Sequence, residues 1–265
     1  MSFVQRKNPR EIQIRKLDKQ EERFLKKRED KRETALNQFL SEKVPEKLQN
    51  TLNEAFAKAF LIIFEKGTGV IEKTYSRQKH EDDYQINQYA ANLKGDKKTL
   101  RTFTKKAGNI GMKNIVLSGV SGMGMGVFGV GLPDIPIFTG MLLKNIYEIA
   151  LSYGFEYESE QERYFILLII KGAVSYGDEM GMINKKVNEF IYNGKSPEDY
   201  SQEEMVRQTA GCLSKELLYI KFLQGIPVVG VVGGAYDVFY MNRVTEYAKL
   251  KYGQRFLYYT YVTKS

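Results

Sequence analysis

The feature that most limits the fold of this 265-residue chain is a glycine-rich, uncharged stretch near its middle. Six glycines lie between Gly119 and Gly131, and the twenty residues from Asn114 to Pro133 include no charged side chain. A glycine inside a helix or strand costs roughly 0.5–1 kcal/mol relative to alanine. The stretch therefore forms either a series of tight turns or a surface on which another backbone packs very closely.

A second glycine-rich segment, Gly225 to Gly234, resembles the first. At an offset of 94 residues (225 − 131) both segments read G-x-P-x6-G, and each leads into a helix with an apolar face. This partial repeat predicts two glycine-rich helical hairpins. The glycines predicted to contact lipid or a partner are Gly122, Gly124, Gly126, Gly129, Gly131, Gly225, Gly230, Gly233 and Gly234.

Three interpretations of the first segment can be compared. The run Gly124-Met-Gly126-Val-Phe-Gly129 matches the dinucleotide pattern G-x-G-x-x-G, but Pro133 and Pro136 interrupt the helix that this pattern requires. Gly122 and Gly126 have the spacing at which helices approach closely in lipid. A membrane-inserting hairpin and a hairpin buried in a soluble helical bundle therefore both remain open.

Helical patterns occupy most of the remaining chain. Residues 48–63 have apolar side chains at helical spacing, and Ser159-Glu-Gln-Glu162 is a capping-box sequence in front of the fully apolar run 165–170. Gly154 stands where a left-handed helix cap is expected, and a further short helix is expected to end at Gly194. Because no segment shows sustained alternation of apolar and polar residues, we predict an all-α fold, a multi-helix bundle.

The N-terminal segment carries most of the net charge of +8. Residues 6–32 contain twelve Lys or Arg and six Asp or Glu, an excess of +6 (12 − 6). We predict a basic helical arm, 1–43, that stays outside the core of a helical domain, 44–265. Such an arm either attracts an anionic membrane surface or is a solvated helix with interleaved charges. No nucleic-acid partner is expected, because the tyrosines lie mainly on apolar helices.

Histidine and cysteine are too scarce for most catalytic and metal sites. The chain has one histidine, His80, in a polar run, and one cysteine, Cys212, among apolar residues. Zinc sites built on His and Cys, haem ligation and Cys–His pairs are therefore disfavoured. We expect no cofactor and no metal. Residues 1–20 lack the apolar region of a secretory signal, so a cytoplasmic location is expected.

Four separated motifs appear in order between roughly Lys106 and Leu257 and leave out the basic arm. Their sequences are Gly131-Leu-Pro-Asp-Ile-Pro136, Lys144-Asn-Ile-Tyr-Glu-Ile-Ala150 followed by Tyr153-Gly154, Glu162-Arg163-x-Phe165, and Ile226-Pro-Val-Val-Gly230 with Gly233-Gly-Ala235. Together these motifs resemble the EcsC family of bacterial proteins. The resemblance implies a helical, glycine-rich protein without an assigned reaction, linked to ABC-transporter and secretion function. It implies a non-enzymatic accessory or interaction protein at the inner face of the cell membrane.

The polar family-motif positions in this chain are Asp134, Glu162 and Arg163. Their sequence context predicts that Asp134 caps a helix, that Glu162 completes the capping box, and that Arg163 pairs with a neighbouring acid. The alternative function is that of a metal-dependent hydrolase using carboxylates near Asp134 and Glu162. The partners expected from charge and resemblance are an anionic membrane surface and a membrane protein such as an ABC transporter.

Overall fold

Eight α-helices make up most of the part of the chain that the structure describes. The structure is a computed structural model, and it describes residues 8–29, 45–67, 76–94, 135–224 and 233–262. The helices are α1 (Pro9–Lys26), α2 (Glu46–Ile62), α3 (Arg77–Lys94), α4 (Ile135–Ser152), α5 (Glu160–Val174), α6 (Gly177–Asn193), α7 (Gln202–Gln224) and α8 (Gly233–Val262). These residues contain no strand, so the predicted all-α fold is confirmed.

Helix α5 lies at the centre of the bundle. Its residues 164–170 are all buried, and it packs against α6, α7 and α8. A helix that is apolar on every side must be covered on every side, as the sequence predicted for this run. Around this centre, α2 packs on α7 and α4, and α3 packs on α4.

Helix ends follow the local signals in the sequence. A π-helical turn, Ile63–Gly67, continues α2 and ends at a glycine. Gly154 after α4 and Gly194 after α6 have positive φ angles of 80° and 69°, as expected for left-handed caps. Gly154 is also a point of close approach, because a β-carbon there would collide with the Tyr84 ring of α3.

The prediction that the N-terminal segment stays outside the core is wrong. Phe24 of α1 is 2 % exposed and stacks on Tyr247 of α8 at a ring-centroid distance of 4.8 Å. Arg10 donates a hydrogen bond to the Thr260 carbonyl near the other end of α8. Helix α1 therefore runs antiparallel along α8, and its apolar residues, although few, complete the apolar surface of the bundle.

The predicted glycine-rich hairpins lie almost entirely outside the described residues. Gly233 and Gly234 form the start of α8. The other predicted contact glycines, Gly122, Gly124, Gly126, Gly129, Gly131, Gly225 and Gly230, fall outside the described ranges. The hairpins and the boundary between 1–43 and 44–265 stay predictions.

Replacing Ser159 by alanine is expected to lower the free energy of unfolding by about 1 kcal/mol. The Ser159 hydroxyl accepts a hydrogen bond from the Glu162 backbone N–H at 3.1 Å, and alanine leaves that N–H without its cap. Urea unfolding followed by circular dichroism measures the loss. Ser159→Asn keeps a capping oxygen and should stay close to the wild-type protein; equal loss in both variants would contradict the capping role.

Candidate functional site

A buried polar cluster inside the bundle joins α5 to α8. The Glu162 carboxylate accepts hydrogen bonds from Arg255 Nη1 at 2.6 and 2.9 Å and from the Tyr252 hydroxyl at 2.6 Å. The Glu162 and Arg255 side chains are only 4 % and 10 % exposed. Burial raises the pKa of Glu162, against the opposing effects of Arg255 and Tyr252. Its contacts with Arg255 and Tyr252 nevertheless place the Glu162 carboxylate in an ion pair between two core helices.

A second buried cluster fastens α1 to the bundle. Glu21 accepts hydrogen bonds from Asn184 at 2.6 Å and from Asn188 at 3.0 Å, both on α6, and from Gln254 of α8. Its ion pair with Lys251 is 2.9 Å long, and the Lys251 side chain is 0 % exposed. A charged residue of the predicted arm thus lies at the junction of α1, α6 and α8.

The ionic groups in this cluster have shifted pKa values. Burial alone would raise the pKa of Glu21, but Lys251 and the hydrogen bonds from Gln254, Asn188 and Asn184 outweigh it and lower the pKa to about 2. Burial lowers the pKa of Lys251 to about 8, although Glu21 opposes the shift. Removing one partner would leave the other charge buried and uncompensated.

The outer face of α1, together with its C-cap residue Lys27, carries six exposed cations. At 100° per residue they fall within an arc of roughly 120°, on the side away from Phe24 and Leu17. We call them the α1 basic stripe: Arg15, Lys16, Lys19, Arg23, Lys26 and Lys27. Within the part of the chain that the structure describes, none of the six forms an ion pair.

The acids of α1 lie along one edge of the basic stripe or face inward. Glu11, Asp18 and Glu22 are exposed and lie on one neighbouring side of the helix, whereas Glu21 turns inward to Lys251. Residue numbers alone show acids and bases interleaved, but the folded helix sorts them by face. The stripe therefore forms a positively charged surface rather than a row of neutralised pairs.

The polar residues predicted from the family motifs do not come together as a catalytic site in the described structure. Glu162 pairs with Arg255 instead of returning to the Ser159 N–H, so its predicted reciprocal role in the capping box is wrong. Arg163 donates to the Phe64 carbonyl at 2.8 Å and to Gln202, not to an acid. Asp134 lies outside the described residues.

The hydrolase alternative gains no support from these contacts. Both Glu162 oxygens already accept hydrogen bonds from Arg255, so metal binding there would require breaking a buried ion pair. Within the described ranges, no three His, Cys, Asp or Glu side chains are grouped in a way that could hold a metal ion.

Sequence reasoning missed Lys251, Arg255 and Glu21 as buried residues. A charged residue on a helix is normally assigned to the solvent side, and only the tertiary partner reverses that assignment. One available signal was the spacing of Leu17 and Phe24 in α1, which lie seven residues apart and mark a single face.

Comparison with known proteins gives one match. A sequence model described as the EcsC protein family covers residues 11–257. The match begins within α1, whereas the motifs noted in the sequence begin near Lys106, so it includes the N-terminal helix that packs on α8. Neither the curated proteins nor the solved structures gave a match. Of the described helices, none has both the length and the apolar composition that a bilayer crossing requires.

Proposed function

Since this chain belongs to the EcsC protein family, we propose that it is a non-enzymatic accessory protein that binds the inner face of the cell membrane through the α1 basic stripe. The observation that carries the proposal is the arrangement of six exposed cations on one side of a helix whose other side is fixed to the bundle. Anionic lipids attract basic residues at the membrane surface by about 1 kcal/mol each.

Because α1 is attached to the bundle, the six cations of the stripe have fixed positions on the protein surface. Phe24, Glu21 and Arg10 hold the helix against α8 at three points along its length. The cations are therefore presented together without the conformational cost of ordering a free arm. Binding of this kind is electrostatic and weakens as salt is added.

The proposal also includes a membrane-protein partner and a role for the glycine-rich segments. On the family resemblance, the membrane partner would be an integral protein such as an ABC transporter. The segments 119–131 and 225–234 would contact lipid or that partner. Washing membranes from native cells separates these contributions: salt releases a protein held by the stripe, whereas retention through carbonate indicates insertion of the glycine-rich segments.

Neutralising four cations of the stripe is expected to weaken binding to anionic vesicles by roughly 10²–10³-fold, at about 1 kcal/mol per charge. The variant combines Lys16→Gln, Lys19→Gln, Arg23→Gln and Lys26→Gln. Flotation with vesicles of phosphatidylglycerol and phosphatidylcholine, at low and high salt, measures the effect. Neutral vesicles should not bind either protein.

A matched control removes four exposed cations from other surfaces. It combines Lys186→Gln, Lys195→Gln, Arg207→Gln and Lys215→Gln. Both variants lose the same charge, so weaker binding of the stripe variant alone identifies the surface. Equal losses would show that net charge, not the stripe, governs binding, and failure of the wild-type protein to float at low salt would reject the proposal.

A further inference from the structure

Two buried arginines meet where the end of α1 reaches the start of α6. The Gly177 backbone N–H donates to the Arg28 carbonyl at 2.8 Å, immediately after α1 ends. Arg243 of α8 donates through Nη1 to the hydroxyl of Tyr176, the residue before Gly177. The Arg28 backbone and the Arg243 guanidinium therefore both contact the Tyr176–Gly177 segment, and the charge of Arg243 is near enough to act on Arg28.

Both guanidinium groups have hydrogen-bonding capacity left over. Arg28 is 7 % exposed and Arg243 is 4 % exposed. Arg28 Nε, Arg243 Nε and Arg243 Nη2 are buried and have no hydrogen-bond partner among the described residues. Buried donors are nearly always satisfied in folded proteins, because leaving them unpaired costs free energy. Arg28 Nη1 does have a partner, the Phe24 carbonyl at 2.8 Å, so the unused donors are Arg28 Nε and the Nε–Nη2 side of Arg243.

Neutralisation by carboxylates does not account for the pair. In the described part of the chain, no carboxylate lies within ion-pair distance of Arg28 or Arg243. The Glu216 carboxylate accepts from the Tyr240 hydroxyl at 2.6 Å and from the Tyr176 hydroxyl at 3.5 Å. Glu246 is exposed and attracts Arg28 only through longer-range electrostatics.

The aromatic surroundings stabilise the cations without satisfying their N–H groups. The Arg28 guanidinium lies 3.5 Å from the Phe24 ring centroid, and the Arg243 guanidinium lies 4.6 Å from that of Tyr176. Burial, and then the charge of Arg243, lower the pKa of Arg28 to about 10. Two like charges held close together in the core are unfavourable unless an anion lies between them.

We propose that Arg28 and Arg243 form a binding site for a phosphate group. A tetrahedral oxyanion accepts from the fork of a guanidinium through two oxygens, which suits the unpartnered Nε and Nη2 of Arg243. The Phe239 ring lies 5.7 Å from the Arg243 guanidinium and is 49 % exposed, so Arg243 lies close to the protein surface on this side. The phosphate belongs either to a lipid headgroup or to a free phosphomonoester.

The site goes beyond the proposed membrane binding and can be tested apart from it. The α1 basic stripe acts through general charge on the outer face, whereas the arginine pair requires a phosphate at one point. A phosphate response in a variant that has lost vesicle binding through the stripe would support the site and leave the membrane proposal unaffected.

The test titrates the full-length protein with inorganic phosphate and follows thermal unfolding, with sodium chloride at equal ionic strength as the control. At a phosphate concentration about 100 times Kd, the midpoint is expected to rise by about 5–10 °C. Arg28→Met and Arg243→Met should each remove the rise, since methionine fills the space without a donor. Arg207→Gln, an exposed cation on α7, should retain it.

A lipid arm distinguishes the two phosphate sources. Vesicles containing phosphatidic acid, a phosphomonoester, are compared with phosphatidylglycerol vesicles of matched surface charge. Arg243→Lys keeps the positive charge but not the two-pronged guanidinium. A preference for phosphatidic acid that this variant loses would identify the ligand as a lipid headgroup. A response to inorganic phosphate alone would identify it as a free phosphate. Absence of both responses in the wild-type protein, or an unchanged response in both methionine variants, would overturn the site.

Discussion

Replacing Glu162 by alanine is expected to lower the free energy of unfolding by about 3–5 kcal/mol, because the change leaves the Arg255 guanidinium buried without its carboxylate. The Arg255 side chain is 10 % exposed, so water cannot readily replace the lost partner. The Tyr252 hydroxyl loses its acceptor in the same step. Urea unfolding at pH 7, followed by circular dichroism, measures the loss.

Two further variants show whether the loss comes from the unpaired charge. Glu189→Ala removes an exposed carboxylate that is 4.0 Å from Lys185, and it should cost less than about 0.5 kcal/mol. The double replacement Glu162→Leu with Arg255→Met should recover much of the stability, because apolar side chains of similar size can replace a buried ion pair. A Glu162→Ala protein within about 1 kcal/mol of wild type would contradict the role assigned to the pair.

Local sequence signals predicted the helices well because the physics of helix ends is local. A serine that caps the next turn, as at Ser159, or a glycine that accepts a positive φ, as at Gly154, acts within a few residues. The apolar run 165–170 likewise had to be buried, whichever helices of the bundle cover it. The all-α fold followed from signals of this kind, and the family from the four separated motifs.

The sequence did not reveal the polar interior, because its energetics depend on residues far apart in the chain. Lys251 is separated from Glu21 by 230 residues (251 − 21), and neither has a local pattern that indicates burial. The position of Glu162 matched a capping box, yet its carboxylate forms hydrogen bonds with Arg255 of α8 rather than with the nearby Ser159 backbone N–H. The α1 basic stripe also became visible only once Phe24 fixed which side of the helix faces inward.

Acid is expected to weaken the attachment of α1 through Glu21. The folded protein holds the pKa of Glu21 at about 2, against an ordinary value of 4.5. Because the unfolded chain binds the proton more readily, Glu21 contributes stability above pH 4.5, and this contribution is lost as the pH falls toward 2. The full contribution is about 3 kcal/mol, of which about 2 kcal/mol is lost by pH 3.

Comparing wild type with Glu21→Gln isolates this contribution from the other carboxylates. At pH 7 the variant should be less stable by about 3–5 kcal/mol, because the buried Lys251 loses the carboxylate that stabilises its charged form. Toward pH 3 the difference should shrink by about 2 kcal/mol, since the wild-type carboxyl also becomes neutral. Urea unfolding between pH 7 and pH 3 measures both values.

Glu22→Gln provides the matched control, one residue further along α1 on the exposed side. It should change the free energy of unfolding by less than about 0.5 kcal/mol at pH 7. A Glu21→Gln difference that stays constant from pH 7 to pH 3 would exclude the ion pair as its source. A difference that shrinks as expected would mean that a charge pair inside the core holds α1, the helix that carries the basic stripe, in place. Replacing Glu21 should then also weaken vesicle binding, although no cation of the stripe has changed.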